Sequence, residues 1–120
     1  MKKRKTIIIA TVIILVSAIV SVCCMNYIEK KNRIVKVEVG DSVSAVIKGD
    51  GSLWMWGYNR RYQLGDGTGK DVKKPKKIMS DVKDVSIGVG LTGAIKKDGS
   101  LWVWGYGYST IGDGITEGAK

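Results

Sequence analysis

The stretch Asp-Gly-Ser-Leu-Trp-Met-Trp-Gly-Tyr, residues 50–58, decides the fold because it occurs twice. It returns at residues 98–106 with a single change, Val103 in place of Met55. The offset is 48 residues and extends backwards, so that residues 34–58 align with residues 82–106 and about half of the aligned positions are identical. Self-similarity at a fixed period of this length indicates a repeat architecture, in which each unit stacks on its neighbours to bury its apolar surface.

Each copy is predicted to form a strand, a second strand, a tight turn and a third strand. Residues 43–48 alternate in the period-two pattern of a strand, and residues 49–51 supply a Gly-Asp-Gly turn. The next strand places two aliphatic side chains on one face and two tryptophans on the other, at residues 53–56. A strand that is apolar on both faces must lie between neighbouring sheets, as in the blade of a propeller.

The two copies closely resemble the regulator of chromosome condensation repeat family. Its repeats combine a Gly-x-x-His-Ser/Thr strand, the sequence Asp-Gly-x-Leu/Val-Trp/Tyr-x-Trp-Gly and the sequence Asn-x-x-Gly-Gln-Leu-Gly. In the first copy the matching positions are Gly40, Asp50, Gly51, Leu53, Trp54, Trp56, Gly57, Asn59, Gln63, Leu64 and Gly65. In the second copy they are Gly88, Asp98, Gly99, Leu101, Trp102, Trp104 and Gly105. We interpret the glycines, aspartates and tryptophans among them as structural repeat positions, with the tryptophans packing between blades.

The chain also departs from the family pattern. The strand histidine is replaced by Val43 and Leu91, the glycine before Gln-Leu-Gly is Tyr62, and the third element is reduced to residues 110–112 in the second copy. The resemblance implies a seven-bladed propeller, but only two repeats occur, 34–81 and an incomplete 82–120. We therefore predict an all-β partial propeller of about two blades of antiparallel strands, preceded by one transmembrane helix, in a short or truncated member of the family.

The N-terminal region predicts a membrane anchor. A basic segment at residues 1–6 precedes an apolar run at residues 7–25, which as a helix would span roughly 28 Å, the thickness of a bilayer core. This run is long for a secretory signal peptide, which favours an uncleaved anchor. The basic flank predicts that the N-terminus is in the cytoplasm and that residues 26–120 lie outside, with residues 26–33 as a juxtamembrane linker. Cys23 and Cys24 are expected to be apolar filler, with lipid attachment as the alternative.

Two loop-like segments carry charged residues that could bind an ion or an anionic surface. Much of the net charge of +9 lies in one basic stretch that contains Lys70, Lys73, Lys74, Lys76 and Lys77. We expect this stretch to be a solvated linker or, alternatively, a contact for an anionic surface. Residues 65–71, Gly-Asp-Gly-Thr-Gly-Lys-Asp, superficially suggest a calcium or phosphate loop. They lack the spaced carboxylates of the former and the Gly-Lys-Ser/Thr ending of the latter, so a turn is predicted.

The sequence favours binding over catalysis. It has no histidine and four of its 11 acids lie in Asp-Gly turns, so we expect no enzyme activity, no cofactor and no metal site. Tyr58, Arg60, Arg61 and Tyr62 follow the third strand and form the candidate binding rim. The resemblance implies recognition of a protein partner; known members include an exchange factor for a small GTPase and bacterial enzyme inhibitors, but exchange activity is not carried over.

The sequence is consistent with several partners and functions. The predicted partners are the membrane, a protein of unknown identity and further copies of the chain, three or four of which would close a ring; no nucleic acid is expected. The alternatives are a module that binds cell-surface glycans through its aromatic side chains, and a nonfunctional fragment of a longer propeller.

Overall fold

The computed structural model describes residues 1–106, which form two units, residues 1–32 and a β unit that begins at Arg33. The second copy's segment at residues 110–112 lies outside the described residues, as does the rest of the chain after residue 106. The elements in chain order are α1 (Lys2–Asn32), β1 (Ile34–Gly40), β2 (Val43–Lys48), β3 (Leu53–Gly57), β4 (Val72–Met79), β5 (Val82–Ile87), β6 (Leu91–Lys96) and β7 (Leu101–Gly105).

Helix α1 is long and apolar enough to cross a membrane by its length and composition, a test that a signal sequence near the N-terminus also passes. The hydroxyls of Thr11 and Ser17 donate hydrogen bonds of 2.8 Å to the carbonyls of Ile8 and Ile14, so these polar groups are satisfied within the helix. The helix continues to Asn32, through most of the segment 26–33 that the sequence assigned to a linker. Three lysines and one arginine precede the apolar run. The helix continues beyond the run because residues 26–32 contain no proline or glycine, the two residues that most disfavour a helix.

The first sheet is antiparallel with the strand order β1-β2-β3-β4. Val43 pairs with Gly57 and Val46 with Trp54, so β2 and β3 are joined by the Asp-Gly turn that the sequence predicts. Gly57 has a φ of 118°, and a side chain there would collide with the carbonyl oxygen of Ser42. Glycine is therefore required where the chain leaves β3 beside the β1–β2 turn.

The second sheet has the order β5-β6-β7 and repeats the register of the first. Ala94 pairs with Trp102 as Val46 pairs with Trp54, and Leu91 pairs with Gly105 as Val43 pairs with Gly57. The predicted fold class is confirmed: apart from α1 the described chain is mostly strands, arranged as two antiparallel sheets of a partial propeller.

The basic stretch is a strand, which corrects the prediction of a linker. β4 pairs with β3 through Trp54↔Lys77 and Met55↔Lys76, and Pro75 falls where the register is irregular. Residues 73–77 are all exposed on this edge strand. Lysines and a proline disfavour strand formation locally, but pairing with β3 overrides them, and on an edge strand they hinder pairing with another chain.

The core lies between the two sheets. Alternate residues of β2 and β3 point from the first sheet into it, and residues of the second sheet and the β3–β4 loop complete it. Its buried members are Val43, Ala45, Ile47, Leu53, Met55, Leu64, Val82, Val85, Ala94 and Trp104. Because six members of this cluster come from the first repeat and four from the second, neither repeat can bury its apolar face without the other.

Candidate functional site

The β3–β4 loop, residues 58–71, connects the two blades at its Gln-Leu-Gly sequence. The carbonyl oxygen of Gln63 accepts hydrogen bonds from Trp104 Nε1 at 2.9 Å and from Thr92 Oγ1 at 2.7 Å. Leu64 is fully buried, and Gly65 lies under the Trp104 ring with a φ of 68°, where a side chain would collide with the indole. These contacts explain in structural terms the Gln-Leu-Gly sequence of the first repeat.

Asn59 organises the same loop from its interior. Its Nδ2 donates to Asp66 Oδ1 at 3.0 Å, to the Thr68 carbonyl at 2.7 Å and to the Lys70 carbonyl at 3.0 Å. Its Oδ1 accepts from the Leu64 backbone nitrogen at 3.0 Å. One buried amide therefore fixes the path of a twelve-residue segment that has no regular structure of its own.

The Asp66 carboxylate is already used by the loop. Oδ1 accepts from the backbone nitrogen and the hydroxyl of Thr68, and Oδ2 forms an ion pair of 2.8 Å with Lys76. Burial raises the pKa of Asp66, but the hydrogen bonds from Lys76, Thr68 and Asn59 outweigh it and lower that pKa to about 2. Residues 65–71 thus form a structured turn, and residues 1–106 contain no group of three or more His, Cys, Asp or Glu side chains that could hold a metal ion.

The four residues of the candidate rim lie together in this loop. Arg60 is exposed and Tyr62 is 58% exposed, whereas Tyr58 is 36% exposed and the half-buried Arg61 reaches over Gly90 of the second blade. The loop backbone is held by a bond of 2.9 Å from the Arg61 nitrogen to Gln63 Oε1. The rim is therefore a supported surface that spans the two blades.

Tyr62 has an unusual backbone conformation. Its φ is 59°, the left-handed region that costs a residue with a side chain roughly 1–2 kcal/mol. The position is the one at which the family pattern has glycine. The chain thus holds an exposed aromatic side chain at a position where the backbone favours glycine, and such local strain is common in binding and catalytic regions.

The rim is at the same end of the sheets as the β1–β2 and β5–β6 turns. The Gly90 nitrogen donates a bond of 2.7 Å to Asp41 Oδ2, which joins these two turns across the blades. β1 begins at the opposite end, where the Gly49 nitrogen donates to the Arg33 carbonyl at 2.7 Å. The rim end is therefore remote from the point at which the chain enters the sheet.

Tyr106 is a rim residue that sequence reasoning missed. It follows β7 at the rim end and is 73% exposed. The signal was present, because Tyr106 is the repeat equivalent of Tyr58 at the same offset that defines the two copies. The rim therefore carries three exposed or partly exposed tyrosines.

The four tryptophans differ in their surroundings. Trp104 is 6% exposed between the blades, and Trp102 is half-buried against the same core. Trp54 and Trp56 are half-exposed on the opposite face of the first sheet, where no second sheet of residues 1–106 covers them. Among residues 1–106 the first blade has a neighbouring sheet on one side only, so packing of Trp54 and Trp56 between blades stays a prediction.

Trp54 is held by a local motif that the second copy repeats. The Asp50 carboxylate accepts from the Ser52 hydroxyl at 2.6 Å, Trp54 Nε1 donates to that hydroxyl at 2.8 Å, and Lys48 Nζ lies 4.3 Å from the ring centroid. Lys96 occupies the corresponding place over Trp102 at 5.2 Å. Asp50 and its equivalent Asp98 thus stabilise the turn and orient the tryptophan.

Comparisons with known proteins agree with this geometry. Two sequence profiles described as "Regulator of chromosome condensation (RCC1) repeat" match the chain, one at residues 50–95 and the other at residues 34–63. Together they cover residues 34–95, slightly more than half of the chain. A search of curated proteins gave no match.

Two solved structures share the fold. Human WBSCR16 matches with a TM-score of 0.59 and 24% identity over 72% of this chain and 23% of that chain. Yeast RCC1 (Prp20), in a crystal structure with Kap60, matches with a TM-score of 0.57 and 25% identity over 62% of this chain and 18% of that chain. This chain thus spans about a fifth of the length of either protein. The profile matches, the duplicated register and these structures together show that the chain belongs to the regulator of chromosome condensation repeat family, with two blades of its propeller fold.

Proposed function

We propose that this chain is a membrane-anchored protein-binding module whose repeats lie outside the cytoplasm and which recognises its partner through the rim, without catalysis. The observation that carries the proposal is Tyr62, a 58% exposed aromatic side chain in a left-handed backbone conformation on a loop fixed by buried hydrogen bonds. Aromatic and arginine side chains on a rigid support are the residue types that dominate protein–protein binding energy. The RCC1 relative in complex with Kap60 supports binding of a protein as the mode of action.

The rim provides these groups at one end of the β unit. Tyr58, Tyr62 and Tyr106 contribute aromatic surface, and Arg60 contributes an exposed guanidinium. Arg60 forms no salt bridge among the described residues. A partner with apolar and acidic side chains would complement this surface.

Binding is tested by capturing partners on the full-length protein in native membranes, followed by cross-linking and mass spectrometry. The test variant is Tyr58→Ala with Tyr62→Gly, since glycine removes the second side chain while suiting the backbone at φ 59°. We expect loss of the captured partner at least tenfold. The matched control is Lys73→Ala with Lys74→Ala on β4, which should retain it; equal capture by both variants would contradict the rim assignment.

Helix α1 supports the membrane part of the proposal. Its length and apolar composition suffice for one crossing. Four basic residues precede the apolar run at residues 7–25 and three follow it closely, so the positive-inside rule favours a cytoplasmic N-terminus. Protease added to intact cells should therefore remove a C-terminal tag while an N-terminal tag stays protected. Protection of the C-terminal tag would overturn the orientation, and release of the chain into the medium would indicate a cleaved signal.

A glycan-binding module is the second candidate, favoured by the three rim tyrosines, because aromatic rings stack on sugar faces. Retention of the full-length protein on isolated cell-wall polymer separates the two candidates. Retention that depends on Tyr58 and Tyr62 in the absence of any other protein would support glycan binding. Retention that is unchanged in the double variant would remove it.

A further inference from the structure

The two sheets pack through unlike faces. The first sheet presents its buried residues of β2 and β3 to the second: Val43, Ala45, Ile47, Leu53 and Met55. The second sheet meets them with Thr92, Ala94 and Trp104. We call the former the acceptor face and the latter the donor face, since Thr92 and Trp104 donate the hydrogen bonds to Gln63.

The repeat gives each sheet both kinds of face. An offset of 48 residues carries the acceptor face of the first sheet onto the outward face of the second, at Leu91, Gly93, Ile95, Leu101 and Val103. There Ile95 is 40% and Leu101 is 45% exposed. The same offset carries the donor face back onto Ser44, Val46 and Trp56 on the outward side of the first sheet. The described chain thus holds one unused donor face and one unused acceptor face.

We propose that a second copy of this chain occupies these faces, with the first blade of one copy packed on the second blade of another in a head-to-tail contact. The apolar surface on β1 supports this, since Val37 and Val39, which pair with Val46 and Ser44, are 58% and 72% exposed on the outward side of the first sheet. An apolar strip of this kind on an edge strand is normally covered.

Charge at the contact also favours a second copy. Within the chain Lys36 forms an ion pair with Asp84, and these two residues occupy the same repeat position in consecutive blades. A head-to-tail contact brings Asp84 of one copy beside Lys36 of the next, again with opposite charges. Contact between two first blades would instead face lysine with lysine, so the charge pattern selects the head-to-tail arrangement.

The hydrogen-bonding groups are preserved in kind. Ser44 keeps the hydroxyl of Thr92 and Trp56 keeps the indole of Trp104, and Trp56 Nε1 has no hydrogen-bond partner among residues 1–106. The backbone at the start of β1 also matches that at the start of β5: the Arg33 carbonyl accepts from Gly49 as the Asp81 carbonyl accepts from Lys97, both at 2.7 Å. Ile34 therefore has the same position at the start of its strand as Val82 has in the second sheet. The Val82 nitrogen donates to the Gly51 carbonyl of the other blade at 2.8 Å.

Heterologous contacts of this kind continue until they close. With the two described blades from each copy, three or four copies would give a ring of about six or eight blades. Cyclic symmetry places the start of every β1 on the same side of the ring. That arrangement is compatible with one α1 from each copy entering the same membrane.

A disulfide test follows from the internal contact between Gly40 and Ile87. A Cβ built on Gly40 would lie 3.7 Å from the Ile87 Cβ, the usual separation in a disulfide. Moving this pair by the repeat offset gives Gly88 of one copy and Val39 of the next. Both are exposed, and the nearest atom to a Cβ on Gly88 is the Leu91 carbonyl at 3.8 Å, so a cysteine fits there.

The experiment uses the full-length chain in membranes, with Cys23→Ser and Cys24→Ser to remove the native thiols. Copies carrying only Val39→Cys are mixed with copies carrying only Gly88→Cys and are oxidised mildly. We expect a disulfide-linked dimer in the mixture, at least tenfold more abundant than in either variant alone, and a ladder up to three or four copies when both cysteines are in one chain. Gly40→Cys with Ile87→Cys is the control, which should form an internal disulfide and no disulfide-linked dimer.

The possible outcomes separate the arrangements. Dimers formed by Val39→Cys alone would show a two-fold contact between first blades and overturn the head-to-tail proposal. Absence of dimers in the mixture, with the control disulfide formed, would overturn assembly of copies altogether. The two faces would then be covered by another protein or left uncovered.

Discussion

The indole nitrogen of Trp104 in the second blade donates a hydrogen bond of 2.9 Å to the carbonyl oxygen of Gln63 in the first. Thr92 Oγ1 donates to the same oxygen at 2.7 Å. This oxygen therefore ties the β3–β4 loop of one repeat to two strands of the next. The blades are held together by a polar contact inside an otherwise apolar interface, where such a bond is strong because water does not compete for it.

Replacement of Trp104 by alanine should destabilise the β unit by about 3–5 kcal/mol, because it opens a cavity between the blades and leaves the Gln63 carbonyl with one donor fewer. The same substitution at Trp54 should cost only about 1 kcal/mol in the monomer, since that ring is half-exposed and contacts Lys48. Chemical unfolding followed by circular dichroism at low protein concentration measures both. Equal losses would mean that the two tryptophans have the same structural role.

Tyr62→Gly should stabilise the β unit by up to about 1 kcal/mol, because it relieves a φ of 59°. The neighbouring tyrosine provides the matched control. Tyr58→Gly should instead destabilise by about 0.5–1 kcal/mol, since no left-handed φ is relieved there and glycine adds entropy to the unfolded chain. Thermal unfolding of the two variants checks the opposite signs, and a loss of stability in Tyr62→Gly would show that its ring contact with Gly69 outweighs the backbone strain.

Acid should weaken the β3–β4 loop through Asp66. Its folded pKa of about 2 lies below the ordinary value of 3.8, so its contribution is present above pH 3.8 and is lost as the pH falls towards 2. The loss should be on the order of 1–2 kcal/mol. Asp66→Asn should be less stable at neutral pH and less sensitive to pH between about 5 and 2. An unchanged pH dependence in this variant would assign the acid sensitivity to other carboxylates.

The lysines and the proline of β4 should limit aggregation. Lys74→Val with Pro75→Val lengthens the regular, apolar part of an exposed edge strand and should raise light scattering at high protein concentration severalfold. Lys74→Arg keeps the charge and serves as the control. If the double valine variant stayed as soluble as the control, protection of this edge would come from elsewhere in the fold.

The sequence by itself determined the repeat and most of the blade. The alternation at residues 43–48 predicted β2, and the duplicated nonapeptide predicted the Asp-Gly turn and β3, because alternation and turn chemistry are local properties. The apolar run likewise identified a helix long enough for a membrane. The four residues proposed as a rim lie together because they fall within five positions of one loop, and the repeat offset that defines the two copies also relates Tyr58 to Tyr106.

Only the tertiary structure decided which of these residues do what. β4 is a strand because β3 supplies hydrogen-bonding partners that outweigh the local preferences of lysine and proline. Trp104 is buried and Trp54 is half-exposed, although both belong to the Trp-x-Trp-Gly sequence of their repeats. Burial depends on which face of the sheet has a neighbouring blade. The left-handed conformation of Tyr62 likewise follows from the loop around Asn59, since a side chain disfavours that region locally and long-range hydrogen bonds hold the chain in it.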